Sequence, residues 1–469
     1  MVTRTLWAPQ ALLPTGWARD VLLSIDEAGR FSSVLCDQGE AGLSPQIERA
    51  QGPLLPGLVN AHTHAFQRAM AGLSDAYSAD CRDTFWTWRD VMYRFLATLN
   101  PDDIEAIATW LYIELMRCGF TTVVEFHYLH HDPKGQPYRD RCELSLRMLR
   151  AAERAGIAIT LLPVFYAHSG FGGAAPTEGQ RRFVHDGDSY LRLFSDLQAR
   201  CQQQTFAVPV RLGVAPHSLR AVTPDELARV LAFIDRSDPT APVHIHAAEQ
   251  PAEVQACQAT LGAPPVAWLL DNTPLDARFC LIHATHMTPT ECERLAASGA
   301  VAGLCPTTEA NLGDGLFSAP RYLAAQGRIA IGTDSNVGVD PFAELRLLEY
   351  GQRLTQGRRG VLSRSDASVA SSLLRSVLSG GAQAAAQPTS QLAVGGRADM
   401  LALDGENPDL CGRQGDALLD ALVFAPLRGP IREVYVAGRR VIKDGQHAEH
   451  ARALRDYRAV VSRLLAASA

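Results

Sequence analysis

The chain reads as an α/β protein, a (β/α)8 TIM-like barrel carrying a small β-sandwich domain built from both chain ends. Three observations predict this. Apolar, β-rich runs end in polar residues able to do chemistry, at His62 and His64, His246, His283 and Asp334, as in a parallel barrel whose chemistry sits at one mouth. Strand-like and helix-like stretches alternate through the middle of the chain, as βα units require. Short strands separated by turns occur only near the two ends.

Taken in order, residues 1–53 read as short strands and turns, as in Asp20-Val21-Leu22-Leu23-Ser24-Ile25-Asp26 ahead of Gly29. The same texture returns at Gly396 to Asp404 and at Ile431 to Val441, hinged at Gly438. Residues 1–53 and 388–450 are therefore expected to pair into one discontinuous β domain, with the barrel over 54–387 and a C-terminal helix over 451–469. Eight barrel strands are predicted to end near His64, Glu125, Phe165, His217, His246, His283, Pro306 and Asp334. Between them lie helix signals: Pro101 to Gly119 has acids in its first turn and a glycine just past its end, and Thr223-Pro224-Asp225-Glu226 reads as an N-cap with proline at the first helical position. The Gly380 to Gln387 stretch, rich in Gly, Ala and Gln, fits either a helix tail or a loop.

With 469 residues, 47% hydrophobic and 20% charged, the chain has the composition of a globular protein with one large core and a smaller accessory domain. A net charge of −6 gives no basic surplus for nucleic acid or an anionic membrane, so the expected partner is a small molecule. The ten cysteines include no Cys-x-x-Cys pair, no segment resembles a secretory signal, and no run of 18 apolar residues appears. A reducing, cytoplasmic setting is expected. Cys305 has no nucleophile motif around it and reads as a buried apolar thiol.

His62 and His64 close the run Leu54-Leu55-Pro56-Gly57-Leu58-Val59-Asn60-Ala61-His62-Thr63-His64. Side chains two apart on a strand share a face, so both imidazoles can reach one ion. His246 and Asp334, at the ends of the fifth and eighth strands, complete a nitrogen and oxygen shell of the kind a catalytic metal needs, with a position left for water.

The Pro56 to His64 motif, His246, His283 and Gly332-Thr333-Asp334-Ser335 together resemble the amidohydrolase superfamily over essentially the whole chain. Where two-metal members carry a bridging lysine near strand four, this sequence has Val214-Ala215-Pro216-His217-Ser218, which implies one metal ion, as in the deaminase branch. Zinc is the default; iron and manganese suit similar shells. Within that branch, His64-Ala65-Phe66-Gln67-Arg68-Ala69-Met70-Ala71-Gly72, Phe85-Trp86-Thr87-Trp88-Arg89, Glu125 to His131 and Ala215 to Arg220 resemble the family of formimidoylglutamate deiminases.

That resemblance implies hydrolysis of N-formimino-L-glutamate to N-formyl-L-glutamate and ammonia, in histidine degradation. Asp334 is expected to ligate the metal and accept the proton of the attacking water, Glu249 to shuttle a proton to the leaving ammonia, and His283 to orient the nucleophile. Arg89 and Arg220 are expected to hold the substrate carboxylates, with Gln67, Tyr128 and His217 adding hydrogen bonds. A homodimer is expected, and the Gly170 to Gly173 segment is a candidate for closing over the substrate. The rival readings are another mononuclear deaminase, acting on a guanine-like, guanidino or formimino substrate, and a metal-free scaffold. The presence of His62, His64, His246 and Asp334 opposes the scaffold.

Overall fold

Eight apolar runs become parallel strands in the computed structural model, which describes residues 2–73, 85–363, 367–389, 391–425 and 428–468. They are β1 (Leu58–Thr63), β2 (Phe120–His127), β3 (Ala158–Phe165), β4 (Val210–Leu212, resumed at Ala215–Pro216), β5 (Val243–Ala247), β6 (Phe279–His283), β7 (Val301–Leu304) and β8 (Arg328–Ile331). β1 to β4 pair in sequence, as do β5 to β8. Parallel bridges Val214↔Val243 and Ser218↔His246 join the halves on one side and Thr63↔Asp334 on the other, closing the barrel. The observed strands end within three residues of the expected positions.

The helix signals are realised as local hydrogen bonds. In α2 (Pro101–Cys118; α1 is Phe85–Leu96), the Asn100 side chain accepts from Asp103 while Asp103 reaches back to the Asn100 N–H, and Gly119 ends the helix in the left-handed region at φ 113°. Thr223 and Glu226 make the same reciprocal box. The ambiguous Gly380 region is the tail of a helix, Val369–Ala385. Its small residues let it lie on the barrel: a Cβ at Gly380 would sit 2.0 Å from the carbonyl oxygen of Ile329 in β8.

Both chain ends meet in one nine-stranded sheet, in which Leu54–Pro56 pairs with Val2–Leu13 on one side and Met400–Leu403 on the other. This sheet thus takes in three residues of the span expected for the barrel. Leu6, Val21, Leu23, Phe31, Leu54, Met400 and Tyr435 fill its own core, giving the expected sandwich. A buried cluster ties it to the barrel base: Arg397 pairs with Asp399, donates to Thr122 Oγ1 of β2 (2.5 Å), and reaches Gln387. The C-terminal helix, His450–Ser468, packs on α2 through stacking of Tyr457 on Trp110. Among the described residues no helix is long and apolar enough to cross a membrane.

Past β2 the chain buries a group of histidines. His130 Nε2 donates to the Val164 carbonyl (2.9 Å) and His131 Nε2 to that of Val184 (2.8 Å), pinning the loops that carry Tyr128 and Phe183. Burial holds His127 and His185 down at about 3, and His244, in β5, at about 4, from an ordinary 6.5. Between pH 6.5 and 4 the unfolded chain therefore binds protons that the folded chain excludes, and stability falls as pH falls. Thermal unfolding followed by circular dichroism is expected to show a Tm that drops progressively below about pH 6.5.

Candidate active site

The four expected ligands converge at the C-terminal mouth of the barrel. His62 lies on β1; His64 is the first residue beyond it, at φ −117° and ψ 89°, and still turns its ring inward. The His62 and His246 Nε2 atoms are 3.1 Å apart, and Asp334 Oδ1 lies 3.4 Å from His62 Nε2 and 3.3 Å from His64 Nε2.

Their surroundings fix which atom faces the centre. The Nδ1 atoms of His64 and His246 donate to the carbonyls of Phe126 (2.9 Å) and His217 (3.1 Å); a carbonyl only accepts, so each Nε2 keeps its lone pair. Burial keeps His62 at about 3 and lowers His64 and His246. Burial opposes ionisation of Asp334, but its bond to His62 and the nearby imidazoles hold it below the usual carboxylate range. Three neutral imidazoles and one carboxylate, all aimed at one point, fit a divalent cation.

Beside this set stand His283 and Glu249. Burial works against a proton on His283, but Glu249, a hydrogen bond with Glu309 Oε1 (3.2 Å) and Asp334 outweigh it, pushing it up to about 10. Its Nε2 lies 3.7 Å from Glu249 Oε1 and 3.8 Å from Asp334 Oδ2. Burial pushes Glu249 up to about 7, against the pull of His283 and Arg220. The Glu253 carboxylate accepts the Glu249 N–H (3.0 Å) and anchors the turn after β5.

A pocket opens over these groups, and Gln67, Arg89, Tyr128, His217 and Arg220 all line it together with Glu249 and Asp334. Gln67 donates to Tyr128 Oη (2.8 Å), and the His217 ring stacks on that of His246 at 4.8 Å. Arg220 Nη2 approaches Glu249 Oε2 to 3.9 Å, and the Arg89 guanidinium, on α1, lies 5.6 Å from the Tyr93 ring centre. The expected site residues are thus brought together, with His62 and His283 beneath the pocket floor. Gly170–Gly173 does not line it. The side chains of Phe85, Trp86 and Thr87 lie outside the described residues.

A model of the amidohydrolase family matches residues 54–441. The chain belongs to that family. This amidohydrolase is 50% identical over 461 residues, covering 98% of its own length and 99% of the other, to the formimidoylglutamate deiminase of Pseudomonas aeruginosa. It is 26% identical, over 95% of its length and 93% of the other, to a 5-methylthioadenosine/S-adenosylhomocysteine deaminase of Natronomonas pharaonis. Among solved structures, an amidohydrolase from Brucella melitensis superposes with a TM-score of 0.92 at 44% identity, over 99% of this chain and 100% of that one.

The amidohydrolase also places in its site residues that sequence reasoning missed. Glu309 holds His283 and accepts the Cys305 N–H (2.8 Å); Cys305 itself is buried, its thiol pushed up by burial. Asp314 is pushed up to about 8 by burial, with Glu249 adding to the rise, and Gln250 donates to it. Tyr93 and Tyr166 stand in the pocket wall. His246→Ala, which removes one of the three converging imidazoles, is expected to cost at least about tenfold in metal affinity, read by elemental analysis after dialysis.

Proposed function

We propose that this amidohydrolase is a metal-dependent deiminase that hydrolyses N-formimino-L-glutamate to N-formyl-L-glutamate and ammonia, a step of histidine degradation. The observation that carries the reading is that carboxylates and guanidinium groups meet in one pocket. Glu249 and Asp334 stand at the metal-ligand end, which suits a cationic formimino group, and Arg89 and Arg220 line the same pocket, which suits a dicarboxylate. The name of the Pseudomonas aeruginosa relative, similar from end to end, points to the same reaction.

His62, His64, His246 and Asp334 would hold one ion, with zinc the cation of choice for this donor set. The chain has only two lysines, Lys134 and Lys443, and His217 stands after β4 where a bridging lysine would be needed for a second ion. When bound, such a cation lowers the pKa of a water molecule from 15.7 to about 7. Asp334 would take one proton of the water that adds to the amidinium carbon and release it to solvent. Glu249, its carboxyl pushed up by burial, would take the other proton of that water and pass it to the nitrogen that leaves as ammonia. His283, kept protonated by the carboxylates around it, donates to the oxygen that joins the carbon. Gln67, Tyr128 and His217 orient the glutamate portion, and the two arginines hold its carboxylates. The nine cysteines among the described residues are free thiols, in keeping with a cytoplasmic enzyme.

Ammonia release by zinc-loaded protein tests the reading. Turnover is expected with N-formimino-L-glutamate and not with guanine, with N-formiminoglycine far slower; ammonia from guanine instead would reject it. Arg220→Ala is expected to raise KM by about tenfold or more while leaving metal content unchanged, since the arginine touches no ligand. Loss of metal in parallel would remove it from the carboxylate-binding set.

A further inference from the structure

Two tyrosine hydroxyls in the pocket wall are aimed by one buried amide. The Gln180 side chain is buried, 1% exposed, and its Oε1 accepts the Thr177 backbone N–H at 2.8 Å. A backbone N–H can only donate, so the orientation of the amide is fixed and Nε2 faces the other way. There it donates one hydrogen to Tyr166 Oη (2.8 Å) and the other to Tyr93 Oη (3.3 Å). Each phenol oxygen therefore accepts from Gln180 and keeps its own hydrogen for another partner. No acceptor for either hydrogen is seen among the described residues, and both side chains line the pocket.

The segment that carries Gln180 is fitted to this task. A Cβ at Gly179 would lie 2.5 Å from the Tyr93 ring, so the glycine lets the backbone press against that tyrosine. Tyr93 shares α1 with Arg89, whose guanidinium lies over its ring. Burial pushes the Tyr166 phenol well above its ordinary value even with Arg220 and Arg89 acting on it, so it remains a donor at every working pH. Two phenol hydroxyls and two guanidinium groups thus share one wall.

We propose that Tyr93 and Tyr166 donate their hydroxyl hydrogens to a carboxylate of the substrate, and that Gln180 is the positioning residue that turns both hydroxyls into the pocket. This rests on the dicarboxylate reading above and makes it more specific: acid recognition is shared between arginines and a pair of phenols whose direction is set from behind.

The test is steady-state kinetics of the zinc-loaded enzyme with N-formimino-L-glutamate, N-formiminoglycine, which lacks the distal carboxylate, and 4-(formimidoylamino)butanoate, which lacks the α-carboxylate. Tyr93→Phe and Tyr166→Phe keep the rings and remove only the hydroxyls. Each is expected to raise KM for N-formimino-L-glutamate about tenfold with kcat and metal content little changed, and to alter kcat/KM by less than about twofold for the one analogue that lacks the bound carboxylate. Gln180→Glu keeps an acceptor for Thr177 but offers the phenols a carboxylate in place of a donor. It is expected to draw both hydroxyls away from the pocket and to raise KM as much as the double phenylalanine variant. Wild-type turnover of N-formimino-L-glutamate with KM unmoved by the phenylalanine variants, or an equal rise for all three compounds, overturns the inference. Absence of wild-type turnover overturns the functional reading itself.

Discussion

Asn336 closes the barrel with one side chain. Its Oδ1 accepts from Thr63 Oγ1 (2.9 Å) and Thr333 Oγ1 (2.6 Å), and its Nδ2 donates to the carbonyls of His64 (3.1 Å) and Asp334 (2.9 Å). The main chain repeats the stitch, with His64 N–H on the Asp334 carbonyl and Asp334 N–H on that of His62. The first and last strands are thereby held at a spacing that leaves the His62 and His64 rings beside the Asp334 carboxylate. Asp334 and Asn336 adopt left-handed φ values of 44° and 59°, and Ala248, His283 and Ala284 do the same at the ends of β5 and β6. Non-glycine residues in that region cost free energy and persist where neighbouring bonds over-determine them. Here those bonds are the seam, so the candidate ligand set and the strained backbone beside it share one support.

The support extends outward to the surface. Arg68 donates to the Asn336 carbonyl (2.9 Å) and pairs in two-pronged fashion with Glu114 of α2, while its own carbonyl accepts from Tyr457 Oη (3.3 Å) on the C-terminal helix. A planar guanidinium suits this, because it can grip a carboxylate and still reach a third group. The last helix of the chain therefore bears on the loop after β1, two contacts away from His64.

Much of the fold and of the candidate site was legible because barrel chemistry leaves a linear trace. Each strand must be apolar until it reaches the mouth, and a histidine or aspartate there interrupts the pattern. The arginines and Gln67 came from the family resemblance. The residues that were not legible lack such a trace. Glu309 follows Cys305 by one helical turn and reads as an ordinary acid at a helix start, and Asp314 sits in a loop with no period. Tyr93 belongs to a helix whose inward face cannot be told from a packing face, and Gln180 lies 87 residues from the tyrosine it steers. Leu54–Pro56 was assigned to the barrel because one apolar run crosses the glycine at 57, whereas the kink there divides it between two sheets.

The sheet built from both chain ends also imposes an order on assembly. Leu54 pairs with Ala402, and Pro56 with Met400, so one strand of the pair leaves the ribosome long before the other. At about 5–20 residues per second the earlier strand waits roughly 20–70 s for its partner. During that interval the hairpin of Val2–Leu13 and Gly16–Asp26 can form, but beside it Leu54–Pro56 presents an unpaired apolar edge of the kind that invites association between nascent chains. Protection of that edge during synthesis becomes a requirement for yield that is independent of the finished enzyme's stability.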